Sequence, residues 1–478
     1  MNRIAHLDHK YVWHPFTQMR DWMQCEPTVI VSAKGAVLRD LRGRNYLDAN
    51  SSIWTNLHGH SHPKINAAIS RQLKKIAHSS ALGLANEPAS LLAEKLVRAA
   101  NQQSRPGLPR RSLAKAGPRL EKVFFSDDGS TALEVALKLA YEFSRRIKKL
   151  KQPKFLSLAG AYHGDTVGAV SLGHIDLFHK SYADLLFKTD RAMAPYCYRC
   201  PFNRAKPERA DAREYRKCNW ECVSKTEKQF SAQKKKGNPY AAFVFEPLMQ
   251  GAAGMIPQPA GWLNRVAGIA RSHGALLVAD EVMTGFGRTG AARDGAGNWF
   301  ACRHENVQPD FLCLAKGLTG GYLPMAATLT TRHVFEAFLG KYEEFKSFFH
   351  GHSFTGNQLG AAAALANFEL LGKSNQARKR LEDDLRCELQ SLWQLPNVGD
   401  VRQVGLVAGV ELVKNWRTRE PFDLRKRAGI RVCEAMASRG VLTRPIGNVI
   451  VLMPPYCTTK AQLKRMVSVL RQSIDCHR

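Results

Sequence analysis

Between Glu121 and about Thr330 the chain carries five short apolar runs without polar alternation: Val123-Phe124-Phe125, Phe155-Leu156-Ser157-Leu158, Ala242-Phe243-Val244-Phe245, Ala275-Leu276-Leu277-Val278-Ala279 and Phe311-Leu312-Cys313-Leu314. A strand with one wet face alternates apolar and polar residues, so runs of this kind belong to strands covered on both faces. Helix-forming stretches separate them, which is the order of a mainly parallel sheet flanked by helices. The expected fold class is α/β.

On the N-terminal side, Val29-Ile30-Val31 and Gly35-Ala36-Val37-Leu38 read as short strands about a Lys34-Gly35 turn. Pro63 to Ala77 reads as a helix with Ile65, Ala68, Ile69, Leu73 and Ile76 on its apolar face. After Leu370 a charged helical stretch, Gln376 to Trp393, precedes strands at Val407-Ala408-Gly409-Val410 and Val449-Ile450-Val451-Leu452. The expected organisation is an N-terminal segment (1–60) of a small α+β domain, a large domain (61–345), and a linker helix with the rest of the small domain (346–478). Two Arg/Lys-rich stretches with little apolar periodicity, 101–122 and 196–238, read as surface insertions in the large domain.

Charge raises a different possibility. With 70 Lys plus Arg against 41 Asp plus Glu the formal net charge is +29, which makes nucleic acid the first partner to consider. A hydrophobic content of 44% excludes a disordered polyelectrolyte. The excess is concentrated: six basic residues and one acidic in 101–122, six and one in 141–154, twelve and five in 196–238. No module interleaves aromatic and basic residues in these stretches, so nucleic-acid binding stands only as an alternative from another class, and no nucleic-acid partner is expected.

The N-terminus has no apolar core of about 7–15 residues such as a secretory signal carries, and no stretch reaches the roughly 20 apolar residues of a membrane helix. A cytoplasmic protein is expected, with no membrane partner. Four of eleven cysteines cluster as Cys197-x-x-Cys200 and Cys218-x-x-x-Cys222. The spacing suits tetrahedral zinc, and equally free thiols or a redox-labile pair. No metal ligand is assigned to the catalytic site.

Three places carry chemistry. Asp127-Asp128-Gly129-Ser130-Thr131 lies between an apolar run and a good helix former, so Gly129 and Ser130 open a helix whose free N–H groups suit a phosphate, or a simple N-cap. The run 275–279 ends in Asp280-Glu281, and in an open α/β sheet a carboxylate at that end faces the ligand crevice. The run 311–314 leads into Ala315-Lys316-Gly317, where a lysine beside a buried strand is costly unless used, and an amine there can form a Schiff base. Lysine, carboxylate and anion cradle together are what pyridoxal 5'-phosphate requires. Tyr162, after another strand, offers a ring to stack on the pyridine.

Leu276 through Gly290, with Cys313 to Gly321 and Phe245-Glu246-Pro247, resembles the signature of the class III aminotransferases of fold type I. The likeness spans nearly the whole chain outside the two basic stretches. Trp13 to Met19, Ser51-Ser52-Ile53-Trp54 with His58-Gly59-His60, and Arg444-Pro445-Ile446-Gly447 leading to Leu452 through Tyr456 resemble the 7,8-diaminononanoate synthases of biotin biosynthesis. That resemblance implies a homodimer that moves an amino group from S-adenosylmethionine to 8-amino-7-oxononanoate. It implies Lys316 as the Schiff-base lysine, Asp280 at the ring nitrogen, Tyr162 over the ring, and Gly129 and Ser130 at the phosphate, with Ser353 added from the neighbouring subunit. Phe16, Ile53, Trp54, Tyr162, Lys316 and Gly351 would line the substrate site, and Arg444 would clamp a substrate carboxylate. The chain departs from many synthases at Phe16 and Val451, where they carry Tyr, at Ile53-Trp54, where they carry two Trp, and at His352-Ser353, where they carry Pro-Thr. The donor therefore stays open between S-adenosylmethionine and lysine, as does a general ω-amino acid or diamine transaminase.

Overall fold

A computed structural model describes residues 2–101, 118–290 and 299–476. Near the N-terminus β1 (Ile30–Lys34), β2 (Val37–Asp40) and β3 (Asn45–Asp48) form an antiparallel meander, its first turn made by Gly35 at φ +59°. Helix α1 (Pro63–Lys75) follows. It buries Ile65 and Ala68, but Leu73 and Ile76 are 57% and 46% exposed. The expected five-residue apolar face is therefore covered only over its first half, because the helix stops at Lys75 and Ile76 is already extended.

The central sheet has seven strands: β4 (Leu120–Ser126), β5 (Lys154–Leu158), β6 (Asp190–Ala192), β7 (Tyr240–Phe245), β8 (Leu276–Asp280), β9 (Phe311–Leu314) and β10 (Ala326–Thr331). Their order is β4-β10-β9-β8-β7-β5-β6. Neighbours from β9 to β6 are parallel, and β10 is antiparallel to both β9 and β4. All five apolar runs are strands of this sheet. Along β7 and β8, Phe243, Phe245, Leu277 and Ala279 pack into one core, while Ala242, Val244, Leu276 and Val278 pack into another on the opposite face with α2 (Gly129–Arg146). Two buried faces are why the runs lack polar alternation.

Two strands were not legible as apolar runs. β6 is only Asp-Arg-Ala, and β10 is half threonine, of which Thr328 is buried by donating its hydroxyl to the Ala132 carbonyl (2.8 Å). The stretch 196–238 is also more than a surface insertion. Its last third is α3 (Glu221–Lys235), which buries Cys222, Val223, Thr226 and Phe230. β6 and β7 are parallel strands separated by β5, so the chain needs a crossover helix on the sheet. Lysines on the outer face hid its sparse apolar stripe. Of the other stretch, 102–117 lies outside the described residues, and Leu120 to Lys122 belong to β4. The Asn101 side chain donates to the Val97 and Leu120 carbonyls and accepts from the Leu120 N–H, pinning β4 to the preceding helix.

Helix α4 (Gln358–Lys373) leads to an antiparallel sheet of β11 (Val398–Val404), β12 (Val407–Asn415) and β13 (Val449–Leu452). Val441 and Leu442 pair in parallel with Leu47 and Asp48 of β3, so both ends of the chain share one sheet. Under β11 and β12 sits the fully buried Arg402. It donates to Asp400 (2.9 Å), Glu411 (2.6 Å) and the Met255 carbonyl (2.8 Å). Tyr196 and Arg199, at the start of the basic stretch, reach the same Glu411.

Candidate active site

The carboxyl ends of β4, β5, β7, β8 and β9 open on one cavity of about 410 Å³. Gly129, Ser130, Tyr162, Glu246, Asp280 and Lys316 line it, with Trp54 from the N-terminal segment. Apart from Trp54, these residues close a strand or lie within a few residues of its carboxyl end, which is where an open α/β sheet places its ligands.

At the end of β4, Asp128 caps α2 by accepting the Thr131 N–H (2.9 Å). That leaves the first-turn amides of Gly129 and Ser130 without a partner among the described residues, at the positive end of the helix. The helix can sit this close only because Gly129 lacks a side chain: a Cβ there would lie 2.7 Å from a methyl of Val282. Gly164 at φ +125° leaves space for the Ser130 hydroxyl in the same way, and the Asp165 N–H donates to that oxygen (3.2 Å).

Asp280 closes β8. One of its oxygens accepts from Val282 N (3.1 Å) and the other bonds His163 Nδ1 at 2.7 Å, with both side chains buried. Burial opposes the imidazolium, yet the adjoining Asp280 carboxylate outweighs it and the His163 pKa is raised. The His163 ring holds the Asp280 side chain from behind, aimed into the cavity. The adjacent Glu281 points away and accepts the Ala301 and Cys302 N–H groups (2.6 and 2.9 Å), fixing the following loop.

Lys316 follows β9 at φ +40°, a left-handed backbone unusual for a lysine. Its ammonium lies 4.9 Å from the Trp54 ring and makes no ion pair among the described residues. Burial lowers its pKa against the opposing pull of Asp280 and Glu246, so more of the amine is neutral and nucleophilic. Glu246, at the end of β7, accepts from Tyr162 N (3.3 Å) and Gly251 N (2.7 Å). Burial raises its carboxyl to about 7. The Tyr162 hydroxyl donates to Asp165 (2.7 Å), and burial pushes its pKa up.

Six expected site residues therefore meet here: Gly129, Ser130, Tyr162, Asp280, Lys316 and Trp54. Phe16, Ile53, Gly351, Ser353 and Arg444 are not part of the cavity wall. Phe16 is 61% exposed and packs edge-on against Phe178 (5.3 Å), which in turn meets Tyr162 (6.2 Å). Ile53 sits in an irregular turn, 47% exposed, while its neighbour Trp54 turns inward. Arg444 is exposed at the turn before Pro445. Gly351 and Ser353 are exposed on a segment whose His352 lies 3.3 Å from Asp127. Neither His163 nor Glu246 was assigned a chemical role from sequence, Glu246 figuring only within the Phe245-Glu246-Pro247 motif. His163 had one signal, its place directly after Tyr162 in a loop expected at the sheet edge.

Much of the 276–290 signature does no chemistry. Arg288, 1% exposed, donates to the carbonyls of Asn56 (2.8 Å) and Pro454 (2.9 Å), and the Tyr456 hydroxyl donates to Phe286 O (2.9 Å). These bonds tie the loop after β8 to both ends of the chain. Cys197, Cys200, Cys218 and Cys222 are free thiols, and among the described residues no group of three or more His, Cys, Asp or Glu side chains is arranged to hold a metal ion. No described helix is long and apolar enough to cross a membrane.

A sheet in this order, with a half-buried lysine, a carboxylate and a helix N-terminus converging at its carboxyl edge, defines a transferase of fold type I. Within that class the chain belongs to the class III aminotransferases, whose family model matches residues 19–474. It is 45% identical to the adenosylmethionine-8-amino-7-oxononanoate aminotransferase of Geobacter sulfurreducens over 98% of this chain and 96% of that one. The crystal structure of the Methanocaldococcus jannaschii enzyme of the same name superposes with a TM-score of 0.86 at 38% identity, covering 99% of each chain. An amine transaminase from an uncultivated Pseudomonas species, solved in its PLP-bound form, superposes with a TM-score of 0.83 at 30% identity over 98% of this chain and 99% of that one.

Proposed function

We propose that the chain transfers an amino group from S-adenosylmethionine to 8-amino-7-oxononanoate, giving 7,8-diaminononanoate for biotin synthesis. The observation that carries this reading is full-length likeness, at 45% identity, to enzymes named for that reaction, around a cavity with the groups that transamination needs. Pyridoxal 5'-phosphate fits those groups: among the described residues Lys316 stands half-buried without an ion pair and the Gly129 and Ser130 amides have no partner at a helix N-terminus, and Asp280 is fixed from behind by His163. When bound, the cofactor supplies an aldehyde that condenses with amines and a ring that withdraws electrons.

The chain's own residues do the rest. Gly129 and Ser130 would hold the phosphate, Asp280 would face the ring nitrogen, and Tyr162, its hydroxyl held by Asp165, would pack against the ring. Lys316 would hold the aldehyde and, as a free amine, would move the proton on the carbon bearing the donor amine. Phe16, Ile53, Trp54 and Gly351 border the substrates, and Arg444 meets the acceptor carboxylate. Exposed Leu82, Phe349 and Phe354 (92%, 73% and 59%) support a homodimer in which Ser353 completes the partner's phosphate site. The protein acts in the cytoplasm, with 61–345 as the cofactor domain and the two chain ends as the small one.

The departures at Phe16, Ile53 and Val451 favour a second reading, the same acceptor with lysine as donor. The test is the donor half-reaction, followed by loss of the visible band of the cofactor-loaded enzyme. S-adenosylmethionine bleaches the band in the first reading, and lysine alone does so in the second. Lys316→Ala abolishes turnover in both, and full turnover by that variant overturns both.

A further inference from the structure

A second cavity, of about 730 Å³, opens at the far end of α2, inside the 141–154 charge cluster that the catalytic chemistry leaves unused. Its floor is apolar, with Leu137 and Phe155 buried. Its walls include Tyr141 and Phe187, 39% and 42% exposed. Lys138, Arg145, Arg146 and Lys188 stand around it against a single carboxylate, Glu142.

The cations are not equivalent. Arg146 is spent: it pairs with Glu142 and donates to the carbonyls of Ala337 (2.9 Å) and Lys346 (2.8 Å). Lys138 is engaged with His350 Nδ1 (3.1 Å). Arg145 makes no ion pair among the described residues, only a stack of its guanidinium on Tyr141 (6.0 Å), and Lys188 makes neither ion pair nor hydrogen bond there. Helix-end arginines that merely complement the macrodipole need no cavity. Here two unspent cations, two half-exposed rings and an apolar floor share one recess of a size that suits a small ligand, roughly 300–1,000 Å³.

We propose that this recess binds a nucleoside polyphosphate, its base against Tyr141 and Phe187 and its phosphates on Arg145 and Lys188. Charge alone would suit any anion, but the aromatic walls and apolar floor give a bare phosphate nothing to contact. A planar base has a π-face that each ring can stack on. The site is separate from the cofactor cavity, whose lining shares no residue with it.

The test is calorimetric titration of the cofactor-loaded enzyme with ATP, with inorganic pyrophosphate and with adenosine. ATP is expected to bind once per chain below about 1 mM, more weakly as salt rises. Pyrophosphate and adenosine each bind at least tenfold more weakly. Arg145→Glu/Lys188→Glu, both exposed and outside the catalytic cavity, cuts ATP affinity at least tenfold while transamination is retained. Tyr141→Ala/Phe187→Ala lowers ATP affinity to that of pyrophosphate. Equal affinity for pyrophosphate and ATP overturns the proposal, as does ATP binding that Arg145→Glu/Lys188→Glu leaves unchanged, or no saturable binding at all.

Discussion

Gly129 offers a sharp test of how the phosphate cradle is built. A Cβ added there meets Val282 Cγ1 at 2.7 Å and Cγ2 at 3.1 Å, but the Val282 Cβ only at 3.5 Å, an ordinary contact. Gly129→Ala therefore forces the first turn of α2 away from the loop after β8 and moves the Gly129 and Ser130 amides off the phosphate. Overpacking of this kind costs about 1–3 kcal/mol, which is roughly a 5- to 150-fold loss of cofactor affinity. Truncating the obstacle removes the cause: Gly129→Ala/Val282→Ala leaves only the 3.5 Å contact and recovers affinity to within about threefold. The assay is titration of the cofactor-free protein with pyridoxal phosphate, read from its visible band, for both single variants and the double. Wild-type affinity in Gly129→Ala would refute the reasoning. So would a double variant as weak as Gly129→Ala, since the clash with Val282 would then not be the mechanism.

Burial raises Glu246 from 4.5 to about 7, so it is neutral below that pH and adds a negative charge beside Lys316 above it. A group whose folded pKa is raised contributes stability at low pH that is lost as pH climbs toward the folded value, here between about 4.5 and 7, and the shift amounts to about 3 kcal/mol. Denaturant titrations across that window should show a fall with pH that is shallower in Glu246→Gln by about this amount, and the kcat/KM profile of that variant should lack an ionisation near 7. Arg402→Met leaves Asp400 and Glu411 buried beside an apolar group, an expected loss of about 3–5 kcal/mol measurable as a lower unfolding midpoint.

The parallel sheet was legible because β7 and β8 are apolar on both faces, and the cavity was legible because Lys316, Asp280 and Gly129 each stand directly beyond such a strand. What escaped was of two kinds. β10 and α3 satisfy their burial with threonine hydroxyls and a narrow apolar stripe, and neither leaves a strong periodic trace. His163, Glu246 and the Arg402 cluster owe their meaning to partners up to 215 residues away, as Tyr196 and Glu411 show, and separation of that order has no local signature.

The parallel pairing of Val441 and Leu442 with β3 sets a schedule for synthesis. β3 leaves the ribosome almost 400 residues before its partner strand exists, an interval of about 20–80 s at roughly 5–20 residues per second. For that time the nascent chain displays an open strand edge, the surface on which wrong pairing begins. The large sheet can fold meanwhile, but the N-terminal meander must wait for the last tenth of the chain, which makes a delay in translating the C-terminus a hazard to the N-terminus.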